Sequence, residues 1–457
     1  MKKLLISFFL FSYIFASATD SVSKNISVLN SLEISPTFLE DKPTQKVYQS
    51  YLKRKKRYLL NILENGYTYI PLIRKEIKKA GIPSTLVFVA MAESYFSTKA
   101  RSDKKASGLW QFIPSTAKHL GLKINTYVDE RKDPVKSTIA AIKYLTFLKK
   151  QTGKWYLAIM AYNCGEARVI EAITRAKLDK YCQNHKCNTK EIKKYRHMIK
   201  EYQRDSKKFY KLYRVYKKVN KLYTKNLSLE DLLRFQPRLQ RQYLPKETRA
   251  YIRKIVAMSF LLNSNQFIQY QNHYLLNRGN LANLVKVDVP AGTSLSYIAK
   301  FLGVDYKDLR NHNRHLLYGF TPPNEDSYIY IPYNKLALFR FKFQNKKIAK
   351  KIIYRVKKGD SLLSIARKFS IKYKIIKDFN HLHSNLLRIN QKLVIPIKPN
   401  IKVPTKVTYK VQHGDNLAYI AKKFHTSVKK IKKINHLKND IIYKNQKLIV
   451  PTYITYN

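Results

Sequence analysis

One carboxylate stands out in this sequence by what surrounds it. Leu86-Val87-Phe88-Val89-Ala90-Met91-Ala92-Glu93-Ser94 reads as an almost wholly apolar helix with Glu93 near its C-terminal end. Burial disfavours a charged carboxylate and the negative end of the helix dipole disfavours it further, so both features favour the neutral acid. A carboxylic acid held protonated near neutral pH can give a proton to a leaving-group oxygen, the step that glycoside cleavage needs. From this helix alone, a chain-end glutamate reaching solvent is an equally good reading.

Two further motifs shift the balance. Gly108-Leu109-Trp110-Gln111-Phe112-Ile113-Pro114 combines a flexible glycine, an aromatic platform for a sugar face and an amide able to bond hydroxyl or acetamido groups. Ala161-Tyr162-Asn163-Cys164-Gly165 places a phenol and an amide at a helix end. Together with Glu93-Ser94 these runs resemble the three signature motifs of the soluble-lytic-transglycosylase, goose-lysozyme-like catalytic domain. The Asp129-Glu130-Arg131-Lys132-Asp133-Pro134 and Leu244-Pro245-Lys246-Glu247-Thr248-Arg249-Ala250-Tyr251 segments resemble the D branch of the membrane-bound lytic murein transglycosylases.

The resemblance implies that Glu93 acts first as acid and then as base. It would protonate the MurNAc–GlcNAc glycosidic oxygen, then take the proton of the MurNAc C6 hydroxyl as that oxygen closes on C1 to give a 1,6-anhydro sugar. One carboxylate suffices, because the attacking hydroxyl is already in the substrate; a paired-carboxylate glycosidase needs two. By the same resemblance Tyr162 stands near the reacting centre and Gln111 contacts sugar, with Asn163 beside them and Tyr251 lining the cleft. Ser94 either orients Glu93 or bonds backbone, and Trp110 is either a sugar platform or ordinary core. Asp133 reads as a helix cap, and Asp129, Glu130 and Glu166 as solvated or paired with neighbouring cations. Cys164 stands where the family often has alanine. Two alternatives remain: a hydrolytic lysozyme on the same fold, with Asp103 as a candidate second group, and a catalytically inactive glycan-binding scaffold.

These side chains need a frame. From Tyr48 to Phe260 apolar residues recur at helical spacing, punctuated by Gly81 and Pro83, Asp133-Pro134 and Leu244-Pro245 at helix ends and starts. After Val285 the texture changes to units of a β-branched stretch, two short helical patterns and a second β-branched stretch. Tyr354–Leu362 aligns with Tyr409–Leu417 and the alignment continues, through Asn380 and Asn435, to Pro396 and Pro451. A weaker copy runs from Val287 to Pro332. These repeats resemble LysM modules, which implies binding of N-acetylglucosamine-containing glycans. Sugar contacts would then fall on Gly359, Asp360, Ser361 and Asn380, and on Gly414, Asp415, Asn416 and Asn435. Turn geometry accounts equally for the glycines and capping for the aspartates. The first copy, degenerate at its turn, is a candidate for a fold kept without binding.

The expected architecture is multidomain: a mainly α, lysozyme-like catalytic domain followed by small α+β (βααβ) LysM-like modules on linkers. The divisions are a signal peptide at 1–18, an N-terminal segment at 19–47, the catalytic domain at 48–265 and a linker at 266–285. A degenerate LysM-like module follows at 286–333, then a linker at 334–353, a LysM module at 354–397, a linker at 398–408 and a second LysM module at 409–452.

Met1-Lys2-Lys3, the apolar Leu4–Phe15 block and Ala16-Ser17-Ala18 predict an export signal cut after Ala18, with an uncleaved anchor as the alternative. That segment ends without a lipid-attachment cysteine, so a lipoprotein is not expected. Periplasm or cell envelope is the expected location, loosely associated with the envelope. Of three cysteines, Cys182 and Cys187 are close enough in an oxidising compartment to pair, which leaves Cys164 over. A net charge of +60 steers the chain toward polyanions. The lysines are spread along the whole chain and export removes it from nucleic acid, so the expected partner is peptidoglycan glycan strands, with their anionic peptides. Neither a metal-ligand cluster nor a phosphate or dinucleotide fingerprint is recognisable, so no metal and no cofactor is expected.

Overall fold

The computed structural model describes residues 21–185, 187–237, 239–263, 283–342, 351–396, 406–424, 426–451 and 454–456. The expected signal peptide and most of the 266–285 and 398–408 linkers lie outside them. The chain forms two compact units: one contains residues up to Leu122 and Pro134–Ala282, the other Lys123–Asp133 and Asn283 onward.

The first unit is helical. A helix over 21–31 (α1) is followed by α2 (Lys42–Lys53), α3 (Lys56–Gly66), α4 (Tyr69–Lys79), α5 (Val87–Ser94) and α6 (Pro114–His119). After these come α7 (Pro134–Thr152), α8 (Trp155–Cys164), α9 (Glu166–Asn184), α10 (Lys190–Arg204), α11 (Phe209–Leu222), α12 (Leu229–Leu233) and α13 (Lys246–Asn263). Gly81 takes a positive φ after α4, and Pro134 opens α7, as their residue types predict. The unit begins upstream of Tyr48. Val28, Leu29 and Leu32 of the N-terminal segment are buried, and the carboxylate of Glu33 accepts the Trp155 backbone N–H.

Helix α13 is the spine of the site, packing on α2, α5 and α8. Asp41 fixes it to α2: the carboxylate caps α2 at Thr44 N and takes both Nε and Nη2 of Arg253, at 2.9 and 3.1 Å. Burial alone would raise the Asp41 pKa, but the bonds from Arg253 and Thr44 outweigh it and hold the carboxyl below its ordinary value. A lowered folded-state pKa means stabilisation that is full above the unfolded value and lost as pH falls through the folded one. Asp41→Asn, which keeps the cap, should therefore cost about 2 kcal/mol at pH 7. Denaturation of wild type and variant should converge as pH falls below about 4.

Helices α9, α10 and α11 form a satellite core around Ile170, Ile199 and Val215. A Cys182–Cys187 disulfide closes the turn between α9 and α10, and Cys164 is free.

The second unit holds the three repeats. Each pairs its first and last strands antiparallel: β1 (Leu284–Val289) with β2 (Ser327–Pro332), β3 (Lys351–Arg355) with β4 (Lys392–Pro396), and β5 (Lys406–Lys410) with β6 (Lys447–Pro451). A last strand, β7 (Ile454–Tyr456), adds to the free edge of β3. The first two repeats are not separate beads. One core runs through both, with Phe320 edge-on to Phe379 at 5.6 Å, while the third has its own core around Leu417, Ile420 and Ile431. The expected linker at 334–353 is correspondingly structured in part: Leu336–Lys342 is helical with Phe339 buried, because its apolar residues have that shared core to cover. Residues 123–133 belong to this same core. Tyr127 donates to Asp378, and Asp133, with no exposed surface, accepts the hydroxyls of Tyr328 and Tyr330 at 2.6 and 2.9 Å. Asp129 pairs with Arg131 at 2.9 Å.

Candidate active site and repeat surfaces

Helix α5 is short and apolar, with Val87 to Met91 buried, and ends at Ser94. Glu93 lies on its last turn, half-buried. The Tyr251 hydroxyl donates to Glu93 Oε1 at 2.7 Å. Burial pushes the Glu93 carboxyl above its ordinary value; the Tyr251 hydrogen bond and the charge of Lys254 pull the other way without cancelling the rise.

The three motifs converge here through backbone as much as side chains. Tyr162, at the end of α8, donates to the Trp110 carbonyl at 2.6 Å. Burial, then the nearby Glu93 charge, holds the Tyr162 phenol far above its ordinary pKa, and the same causes act on Tyr251. Both stay neutral, as hydrogen-bonding phenols. Asn163 accepts from Thr248 at 2.7 Å, so α13 presents Thr248 to α8 and Tyr251 to α5. That explains physically why a Glu-Thr-Arg-Ala-Tyr helix start accompanies the other motifs.

Gln111 sits at φ 48° with its amide donating to Gly108 O at 2.9 Å, a bond that shapes the loop and leaves the side-chain oxygen open to other donors. Two sequence expectations take another form. Ser94 donates to Ala90 O at 3.1 Å and Leu109 O at 2.8 Å, so it ties α5 to the glycine loop rather than steering Glu93. Trp110 has no exposed surface and its Nε1 donates to Thr138 at 2.9 Å; a residue so enclosed offers no face to a sugar. The aromatic surface is built instead by Tyr144 and Phe147, with the buried Phe112 packed edge-on behind Tyr144. Tyr144 lies 5.5 Å from Tyr162 and stacks at 6.5 Å on Phe147, which is 45% exposed. The i, i+3 spacing of Tyr144 and Phe147 on α7 was the available signal. Glu166 is partly buried, which raises its pKa, and Asp103 lies in an exposed turn.

In the repeats the marked residues have defined fold roles. Asp360 Oδ2 accepts from Tyr354 OH and Lys357 N, and Asp415 from Tyr409 OH and Gln412 N, each closing its turn. Gly359 and Gly414 supply positive φ there, and Ser361 and Asn416 cap the helices that follow. Asn380 donates to Ile376 O and Val394 O and accepts from Val394 N; Asn435 does the same with Ile431 and Ile449. With both amide protons engaged, these asparagines pin helix to strand. The loop before each last strand carries exposed apolar side chains: Leu386 is 86% exposed and Ile441, at the matching position of the next repeat, 58%, and Ile389 and Tyr443 in the same loops are exposed at positions that do not match.

The first repeat differs at the corresponding place. Its turn and its loop before β2 bond directly: Gly292 N to Pro322 O, Thr293 N to Thr321 Oγ1, Thr321 N to Thr293 O and Leu295 N to Gly319 O, all within 2.8–2.9 Å. Among the described residues of the second and third copies, backbone bonds join these segments at the strand end, at Val356 with Asn390 and Gln391, and at Val411 with Asn445 and Gln446.

Residues 71–183 match the family described as Transglycosylase SLT domain. Residues 354–396 and 409–451 each match the LysM domain, and 283–346 match the family described as Lytic transglycosylase MltD, LysM-like domain. The chain is 26% identical over 405 residues to the membrane-bound lytic murein transglycosylase D of Escherichia coli K12, covering 85% of this chain and 77% of that protein. It is 40% identical over 107 residues to the N-acetylmuramoyl-L-alanine amidase sle1 of Staphylococcus epidermidis, a match to 22% of this chain and 33% of the amidase.

Proposed function

Because the chain is a lytic murein transglycosylase, an SLT domain acting on peptidoglycan with LysM modules behind it, we propose that Glu93 performs both proton transfers of the cleavage. The observation that carries this reading is the raised, half-buried carboxyl with the Tyr251 hydroxyl on its Oε1 at 2.7 Å. In the first step the Glu93 proton goes to the MurNAc–GlcNAc oxygen as the C1–O bond breaks and its electron pair leaves with that oxygen. In the second the MurNAc C6 oxygen bonds to C1 and its proton passes to the Glu93 carboxylate. The acid is restored, water is not consumed, and a 1,6-anhydro end remains.

Tyr251 holds the carboxyl, and Tyr162, bonded to the Trp110 carbonyl, stands at the reacting centre beside the sugar; Gln111, Asn163 and the Tyr144–Phe147 surface contact the glycan. Strand capture by the second and third repeats, on the surface around Gly359–Ser361 with Leu386 and around Gly414–Asn416 with Ile441, keeps the cleft at its polymer by raising local concentration. Direct bonding of its two loops argues that the first repeat serves as scaffold. An exported, envelope-associated location with the leader cut after Ala18 fits this substrate. Among the described residues no helix is long and apolar enough to cross a membrane.

Mass spectrometry of the products released from purified peptidoglycan tests the chemistry. Anhydro-MurNAc ends are expected; reducing MurNAc ends would make the enzyme a hydrolase.

A further inference from the structure

Tyr251 and Lys254 are three residues apart on α13, which puts them on one helix face. Tyr251 bonds Glu93, and the charge of Lys254 is felt at the same carboxylate. The Lys254 ammonium is held in place: Nζ donates to the Tyr95 hydroxyl at 3.3 Å and lies 4.5 Å from the centre of the Tyr95 ring. Tyr95 in turn follows the catalytic helix in a left-handed conformation, φ 54° and ψ 39°, and Phe96 continues at φ 58°. Such backbone is uncommon for bulky residues, and strain of this kind clusters at functional sites. It turns Phe96 inward, into space that Gly66 leaves open; a Cβ on Gly66 would come within 2.5 Å of Phe96 Cδ2. It turns Tyr95 outward, 37% exposed, edge-on to Tyr58 at 5.7 Å and under Lys254.

We propose that Lys254, held on Tyr95, is a positioning residue that supports the negative charge Glu93 carries between giving up its proton and recovering one. The proposal rests on the acid–base role of Glu93. The titratable groups facing that carboxyl are Tyr162 from α8 and Tyr251 and Lys254 from α13, while Tyr95 reaches it only through Lys254. Tyr162 and Tyr251 are neutral phenols, so Lys254 brings the positive charge. Without it a desolvated carboxylate forms beside neutral groups, and proton donation becomes harder.

The test is the pH profile of kcat on purified peptidoglycan for the full chain and for Lys254→Met, Lys254→Arg and Glu93→Gln, with melting curves to confirm folding. Glu93 must be protonated at the start of turnover, so its titration sets the alkaline limb. Removing a nearby cation favours the protonated form, which moves that limb to higher pH. Lys254→Met should show this move with kcat about tenfold lower at the optimum, and Lys254→Arg should restore both. An unmoved limb in a folded Lys254→Met enzyme overturns the proposal, whatever its rate. Substantial activity in Glu93→Gln would instead overturn the reading beneath it. Should Lys254→Met melt early, the arginine variant decides: a parental profile supports the charge, a displaced one refutes it.

Discussion

Glu93→Gln is expected to lower the rate of anhydro-product release by about a thousand- to ten-thousand-fold while leaving the protein at least as stable as the parent. The rate loss follows from the amide having no proton to give and no basic site to recover one. By the usual conversion it corresponds to about 4–5.5 kcal/mol of transition-state stabilisation. The stability half follows from the raised pKa of Glu93. A carboxyl whose folded-state pKa lies above its unfolded value contributes stability that is full below the unfolded value and is lost as pH rises through the folded one. As pH rises through that folded value the half-buried carboxylate has to carry its charge with little solvation, a cost the neutral amide never bears, and the Tyr251 hydroxyl keeps an acceptor in the Gln carbonyl. Stability and activity therefore move in opposite directions at this residue, as they do where a site is built for chemistry rather than for packing. Product release assayed beside chemical denaturation separates the two effects. A variant that was inactive and also markedly less stable would assign Glu93 to the fold.

The features readable from the sequence were those set by local chemistry. Gly81 ends a helix because its φ is positive, Pro134 starts one because it needs no N–H partner, and the repeats show themselves through one constant offset. Glu93 was legible as a candidate acid because a single carboxylate interrupts an apolar helix. What the sequence hid were roles decided by residues far along the chain. Ser94 answers to Leu109, Asn163 to Thr248, and Asp133 to tyrosines about two hundred residues later. The asparagines of the repeats could have been read further. Asn380 bonds Val394 and Asn435 bonds Ile449, each fourteen residues on, a recurrence that points to a helix-to-strand staple. Likewise Val28, Leu29 and Leu32 carry the helical spacing of a buried face, the signal that draws the N-terminal segment into the catalytic unit.

Trp110 shows how such a residue can be assigned by experiment. An aromatic two residues after a loop glycine, in a motif proposed to contact glycan, invites the role of sugar platform, and on that view Trp110→Ala would raise KM and spare the fold. The enclosure of the ring, the Nε1 bond to Thr138 and the position of its carbonyl under the Tyr162 hydroxyl predict the reverse. Truncation removes a large side chain from a packed interior and should cost about 3–5 kcal/mol. The loop that carries Gln111 and holds Tyr162 would then lose its anchor, so kcat should fall even under conditions where the variant stays folded. The two tryptophans of the chain, Trp110 and Trp155, both lie in the helical unit, which leaves Trp155 to report its unfolding by fluorescence in the variant. A midpoint shifted well below that of the parent, with KM little changed in the folded range, is the outcome the packing requires. An unshifted midpoint with a raised KM would return Trp110 to the sugar.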